Sequence, residues 1–170
     1  MKKLLALCLF FLLTLSACSS QTLEQTMKEV DSTNLSDEPI GGLKVGTFLR
    51  EEPGFKGYES NGEYNRNYNQ YTNGELDVSV DKEGTDEILA VGVIESGTGS
   101  TTVHIVLGST LDEVTSAYGE DYFSYTDSNQ GMQEIGYVDH ENNLLLSFVH
   151  VDNKVTGMSL GYAFDRLIWE

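Results

Sequence analysis

Cysteine is almost missing from this 170-residue chain, and neither of its two cysteines is placed to serve a folded domain. Cys8 lies inside an apolar N-terminal run and Cys18 follows its end, so everything after Cys18 is without a thiol. That excludes a disulfide framework, a cysteine-based zinc site and a cysteine nucleophile. Stability must come from a hydrophobic core, and the length suits one ordinary domain or two small halves. Basic residues are also scarce: 10 Lys and Arg stand against 27 Asp and Glu, a net charge of −17. Such a surface repels phosphate backbones and anionic lipid heads, which excludes nucleic acid as a partner. A protein or peptide of basic character is the partner expected, with divalent cations as an alternative. The same acidity also has a plainer use, since net charge keeps a protein soluble.

Long hydrophobic runs are missing too. The longest, Leu4 to Leu15, falls short of the roughly 20 residues that a membrane-spanning helix needs. The histidines, His104, His140 and His150, are far apart and show no His-Glu-x-x-His spacing. There is no Gly-x-Ser-x-Gly elbow and no phosphate-cradling glycine loop. Asp77, Asp81, Asp86 and Glu87 could offer oxygens to calcium. Their spacing fits no EF-hand, and a solvated hairpin is the preferred reading. Among so many acids no two stand out as a glycosidase pair. No catalytic residue, metal or cofactor is therefore expected.

What is present begins with an address. Lys2 and Lys3, the apolar run, and the small residues Ser16 and Ala17 are the three parts of an export signal. The string Leu15-Ser16-Ala17-Cys18 resembles the lipobox of bacterial lipoproteins. That resemblance implies cleavage before Cys18, a diacylglycerol on its thiol, and residence at the extracytoplasmic face of the cell membrane through the lipid anchor alone. Two acyl chains suffice for stable anchoring, whereas one does not. An ordinary secretory signal with a chance cysteine is the other reading. Residues 1–17 are then the signal peptide. Residues 18–39, rich in Ser, Thr, Gln and acids, read as a flexible tether. Leu23, Met27 and Val30 form a helical stripe within it, too short to be stable alone and so either a transient helix or a partner-binding one.

The remainder reads as two copies of one unit, residues 40–96 and 101–170, linked by Gly97-Thr98-Gly99-Ser100. Each opens with an apolar entry, a glycine and a hydroxyl residue: Leu43-Lys44-Val45-Gly46-Thr47, and Ile105-Val106-Leu107-Gly108-Ser109. Each closes with a pair of strands. Leu76, Val78 and Val80 precede Ile88–Ile94, and Leu144, Leu146 and Phe148 precede Val155–Tyr162. Gly84 and Asp152-Asn153 supply the reversals. In the second copy Ser109 or Thr110 caps a helix, Glu113 completes a capping box, and Leu111, Val114, Ala117 and Tyr118 make its apolar face before Gly119 ends it. In the first copy Pro53 cuts the matching helix short.

The run from Val106 to Val114, then Tyr118-Gly119 and three strands, resembles the helix-plus-sheet unit of SmpA/OmlA-like lipoproteins and of the tandem-repeat β-lactamase inhibitory proteins. The resemblance implies an α+β fold: two helix-plus-three-strand repeats forming an antiparallel sheet with helices on one side. The cysteines of the inhibitory proteins are absent, and no inhibitor contact residue is matched. Tyrosine, with large area, a polar tip and little entropy to lose, suits binding faces. Tyr58, Tyr64, Tyr68, Tyr71, Tyr122, Tyr125 and Tyr137 are the candidate contacts, Tyr64 to Tyr71 lying on an irregular strand. The expected function is non-catalytic: a membrane-anchored binding module that recognises a protein or peptide through a tyrosine-bearing acidic sheet face. An envelope enzyme or enzyme accessory acting on cell-wall polymer, and a structural lipoprotein of envelope assembly, are the alternatives.

Overall fold

The computed structural model describes residues 22–58, 66–94, 96–127 and 131–167. Its strands are β1 (Lys56–Tyr58), β2 (Tyr68–Thr72), β3 (Asp77–Asp81), β4 (Ile88–Ile94), β5 (Phe123–Asp127), β6 (Met132–Asp139), β7 (Leu144–Val151) and β8 (Lys154–Tyr162). They form one eight-stranded sheet in the order β1-β2-β3-β4-β8-β7-β6-β5, and every neighbouring pair is antiparallel. The helices are short: α1 (Leu23–Glu29), α2 (Leu111–Tyr118) and a single 3-10 turn at Leu49–Glu51. None of the described helices is long and apolar enough to cross a membrane.

This overturns the expected α+β plan of two helix-plus-three-strand repeats with helices on one side. Each half contributes four strands, the halves join through β4 and β8, and among the described residues between 40 and 94 no α-helix forms. Pro53 and Gly54 stop the turn that starts at Leu49, as a missing N–H and a positive φ require. β1 and β5 add strands because an extended backbone beside a sheet satisfies its N–H and C=O groups by pairing, whatever its hydropathy pattern.

Both hairpins read from the sequence are present, β3 with β4 and β7 with β8. In the second, Asp152 and Asn153 both have positive φ, 50° and 60°, the requirement of a tight turn that matches strand twist. Helix α2 carries its capping box: Thr110 Oγ1 accepts from the Glu113 N–H at 3.2 Å, and Glu113 Oε2 accepts from the Thr110 N–H at 2.6 Å. The Thr110 bonds hold the Glu113 pKa below its ordinary value.

Residues opposite one another across a sheet share a face, and neighbours along a strand do not. The register therefore sorts the core. Tyr71, Val78, Val91, Leu160, Leu146 and Tyr137 form one row across six strands. On this major face Val78, Val91, Leu146, Leu160 and Tyr137 are at most 1% exposed, packed under Ile40, Leu43, Ile105 and Val114 of α2. Burying each aliphatic chain contributes on the order of 1.5–3 kcal/mol. Tyr137 keeps its polar tip satisfied by donating to Gly119 O at 2.9 Å.

The opposite, minor face carries the row Gln70, Ser79, Ala90, Gly161, Leu145 and Val138. Helix α1 packs on it, burying Met27 against Phe123 and Val138. The two described α-helices thus lie on opposite sides of the sheet.

Residues 18–39 are not a free tether from Thr22 onward. Ser32 bridges Val138, Thr33 N–H donates to Val138 O at 2.8 Å, and Leu35 is 1% exposed. Asp139 is the anchor, its carboxylate accepting from the N–H groups of Leu35, Glu141 and Asn142 and from Asn142 Nδ2 at 2.8–3.1 Å. Burial works against its charge, but these donors outweigh it and hold the Asp139 pKa below the ordinary value.

Candidate binding groove

Among the described tyrosines the expected single face does not assemble. Tyr137 is fully buried and Tyr68 is 4% exposed. Tyr71 and Tyr122 are half-buried against the major-face core, while Tyr125 packs on the minor-face cluster with Met27 and Phe123. The rings are divided between two faces because each strand sends alternate residues to opposite sides. Burial raises the pKa of Tyr137 and of Tyr68, as expected of phenols used for packing. The Tyr58 side chain, Tyr64 and Cys18 with the string that precedes it lie outside the described residues.

A concave site forms instead on the minor face, between helix α1 and residues 163–167. Helix α1 is set by its own capping box, Thr22 Oγ1 accepting from Gln25 N–H and Gln25 Oε1 from Thr22 N–H at 3.3 and 3.0 Å. It packs along β5 and β6. The area over β3, β4 and β8 is left open, and Leu23 and Met27 become one wall. The other wall is the tail after β8. Ala163 N–H donates to Asn143 O at 2.9 Å, Phe164 N–H to Asn143 Oδ1 at 3.2 Å, and Asn143 Nδ2 to Asp165 Oδ1 at 2.7 Å. Arg166 then bonds Glu87 at 2.7 Å while lying over the Tyr162 ring, and Tyr162 donates to the same carboxylate at 2.8 Å. The Glu87 bond keeps the Arg166 pKa above its ordinary value.

These contacts hold Leu167 over the sheet. A methyl group built on Gly161 would sit 2.9 Å from Ala90 Cβ and 3.3 Å from Leu167 Cδ1, so only glycine lets the tail approach. The floor is Ser79, Ala90, Gly92, Ser159 and Gly161, and their short side chains make the depression. Its volume is about 430 Å³, within the range of small-ligand sites. Gly92 has room: a Cβ there would meet nothing closer than 3.8 Å.

The lining includes two acids and no Lys, Arg or His. Glu24 is paired with Lys28 one turn on. Asp77, a half-buried residue, has no hydrogen-bond or ion-pair partner for its carboxylate among the described residues. A polar line runs away from the floor, where Ser159 Oγ lies 3.1 Å from Ser147 Oγ. Burial raises the pKa of Glu134 next to Ser147, and the hydrogen bond to that serine only partly offsets it.

The calcium alternative does not form, since Glu87 is committed to Arg166 and Tyr162, and no group of three or more metal-ligating side chains occurs among the described residues. The histidines stay apart: His140 stacks on Phe164, whereas His150 is buried, which lowers its pKa.

Sequence reading missed this site. It takes Leu23 and Met27 for part of a tether and Asp77 for a hairpin carboxylate. The available signal was the pair Gly92 and Gly161 inside strongly apolar strands, since an isolated strand glycine marks a close approach of backbone or ligand. No family model matches this sequence, and no curated protein or solved structure matches it either.

Proposed function

We propose that the chain is a non-catalytic binding module, anchored at the extracytoplasmic face of the cell membrane by lipid on Cys18, that holds a protein or peptide in the minor-face groove. One observation carries this reading: an apolar concavity of about 430 Å³, framed by the helix that follows the lipobox and by the fixed C-terminal tail. Small residues in central strands cost packing that the major face does not give up. A ligand that fills the space recovers it. The lipobox string supplies the location, and the surplus of acids argues against nucleic acid.

Two measurements test the reading. Cys18→Ala is expected to move the protein from the membrane pellet to the soluble fraction. A photo-crosslinking residue at Ser79, in the groove of the full-length protein in cells, is expected to trap a discrete partner that one at Asn153, in the β7–β8 turn, does not. Gly92→Leu should abolish that adduct. Equal trapping at both positions, or trapping indifferent to Gly92→Leu, refutes the groove as the binding site.

A further inference from the structure

We infer that the occupant of the groove is a cationic amphipathic peptide lying at the membrane surface, with apolar side chains on the small-residue floor and a lysine or terminal amine against Asp77. This rests on the groove being the binding site, and it adds the chemistry of the ligand.

Asp77 directs the choice. It opposes Gly92 in the register, and Gly92 opposes Ser159, so the carboxylate stands at one end of a floor row. A purely apolar ligand seated there would strip water from a carboxylate that no described residue compensates, an unfavourable outcome for a charged group. A ligand cation replaces that water with a charge-assisted hydrogen bond. The rest of the lining is compatible, because it includes no basic side chain, Lys28 and Arg166 at its rim are engaged by Glu24 and Glu87, and the chain carries a net charge of −17. An anionic amphiphile meets repulsion at Asp77 and from the net charge of the chain.

The position of the groove selects a peptide at the surface. Leu23, on one wall, is five residues after Cys18, and an extended chain advances at most about 3.6 Å per residue, which keeps that wall within about 18 Å of the acylated residue. Amphipathic cationic helices lie in that interfacial zone, with their apolar faces at the acyl boundary. The groove offers such a peptide an apolar surface and a carboxylate at the same level.

The test uses the full-length lipidated protein in nanodiscs of zwitterionic lipid, with empty nanodiscs as background. Binding of dye-labelled amphipathic peptides is read by anisotropy. The probes are a Leu/Lys peptide, its Leu/Glu and Leu/Ser counterparts, and a scrambled Leu/Lys peptide without an apolar face. Saturable binding is expected for the Leu/Lys peptide alone. Asp77→Asn, which keeps shape and removes charge, should weaken it about tenfold. Gly92→Leu should remove it. Equal affinity for the Leu/Ser peptide, with Asp77→Asn neutral, overturns the cationic requirement while leaving the groove as a site. Binding unaffected by Gly92→Leu, or no saturable binding of any probe, overturns the inference, and the crosslinking above then decides separately whether the groove binds a partner at all. Removal of residues 168–170 that strongly raises affinity would assign the groove to the chain's own C-terminal segment. Concentration-dependent dimers blocked by Gly92→Leu would assign it to a second copy. Should Gly92→Leu fail to fold, Asp77→Asn and the charge-reversed probe still decide the outcome.

Discussion

The two faces of this sheet are built from the same strands and do opposite things. On the major face, successive strands present Val78, Val91, Leu160, Leu146 and Tyr137, and loops with helix α2 close over them. On the minor face the next row reads Ser79, Ala90, Gly161 and Leu145, and helix α1 covers only its far side. Side-chain volume decides the difference: where it is large the face becomes core, and where it is small the face becomes a groove. A face that gives up packing density under a fixed tail is the part of the molecule available for a ligand.

Substitutions that break this contrast should rank by how much packing they disturb. Leu146→Ala, in the centre of the major face, is expected to cost about 2–5 kcal/mol in urea denaturation. A cost under about 1 kcal/mol would mean that the major face is not the core. Asp139→Ala should cost about 1.5–3 kcal/mol, because the buried Leu35 N–H and the part-buried N–H groups of Glu141 and Asn142 lose an ionised acceptor and the strap through Leu35 loosens. The pH dependence of this contribution has a definite sign. The folded pKa of Asp139 is depressed, so its contribution is present above the ordinary carboxylate pKa and disappears as pH falls through the folded value. Denaturation curves from neutral pH downward should therefore show a shallower acid loss in Asp139→Asn than in the natural protein.

Two glycines sharpen the comparison within the minor face. A Cβ on Gly136 would lie 2.5 Å from the Phe123 ring, so Gly136→Ala should cost about 1–3 kcal/mol by overpacking. Gly92→Ala, which points into the open groove, should change the midpoint by less than about 0.5 kcal/mol. Equal penalties would show that the groove is filled in the free protein. The smallest effect is expected at Glu134. Its folded pKa is raised by burial, so protonation favours the fold and stability falls as pH rises through that value. Glu134→Gln should therefore stabilise the protein at neutral pH by about 1 kcal/mol or less. The gain should vanish in melting curves taken below the ordinary carboxylate range.

Local elements were legible because their determinants are local. Thr110 and Glu113 lie three residues apart and announce helix α2, and Asp152-Asn153 between apolar alternations announces the β7–β8 hairpin. The pairing of β4 with β8 has no such marker. It joins Ala90 to Gly161 and turns two hairpins into one sheet, a strand pairing that the expected plan, although it had the repeats form an antiparallel sheet, did not specify. The tyrosines misled for a related reason. Amphipathic rings serve buried and exposed positions equally well, and only the register assigns Tyr137 to the core and Tyr125 to the other side. The strap over residues 30–36 was hidden in its composition, because its polar residues are anchored by a carboxylate 104 positions away from Leu35.

The amino-acid order by itself settles the acidic surface, the lack of thiols after Cys18, the apolar alternation of the central strands and the caps of the helices, all of which depend on residue type or on neighbours within one turn. The pairing of the two halves through β4 and β8, the division of large and small side chains between the faces, and the meeting of helix α1 with residues 163–167 around Asp77 and Gly92 were decided in three dimensions. Strand pairing satisfies backbone hydrogen bonds between segments at any separation along the chain, and which side chains then face one another follows from register.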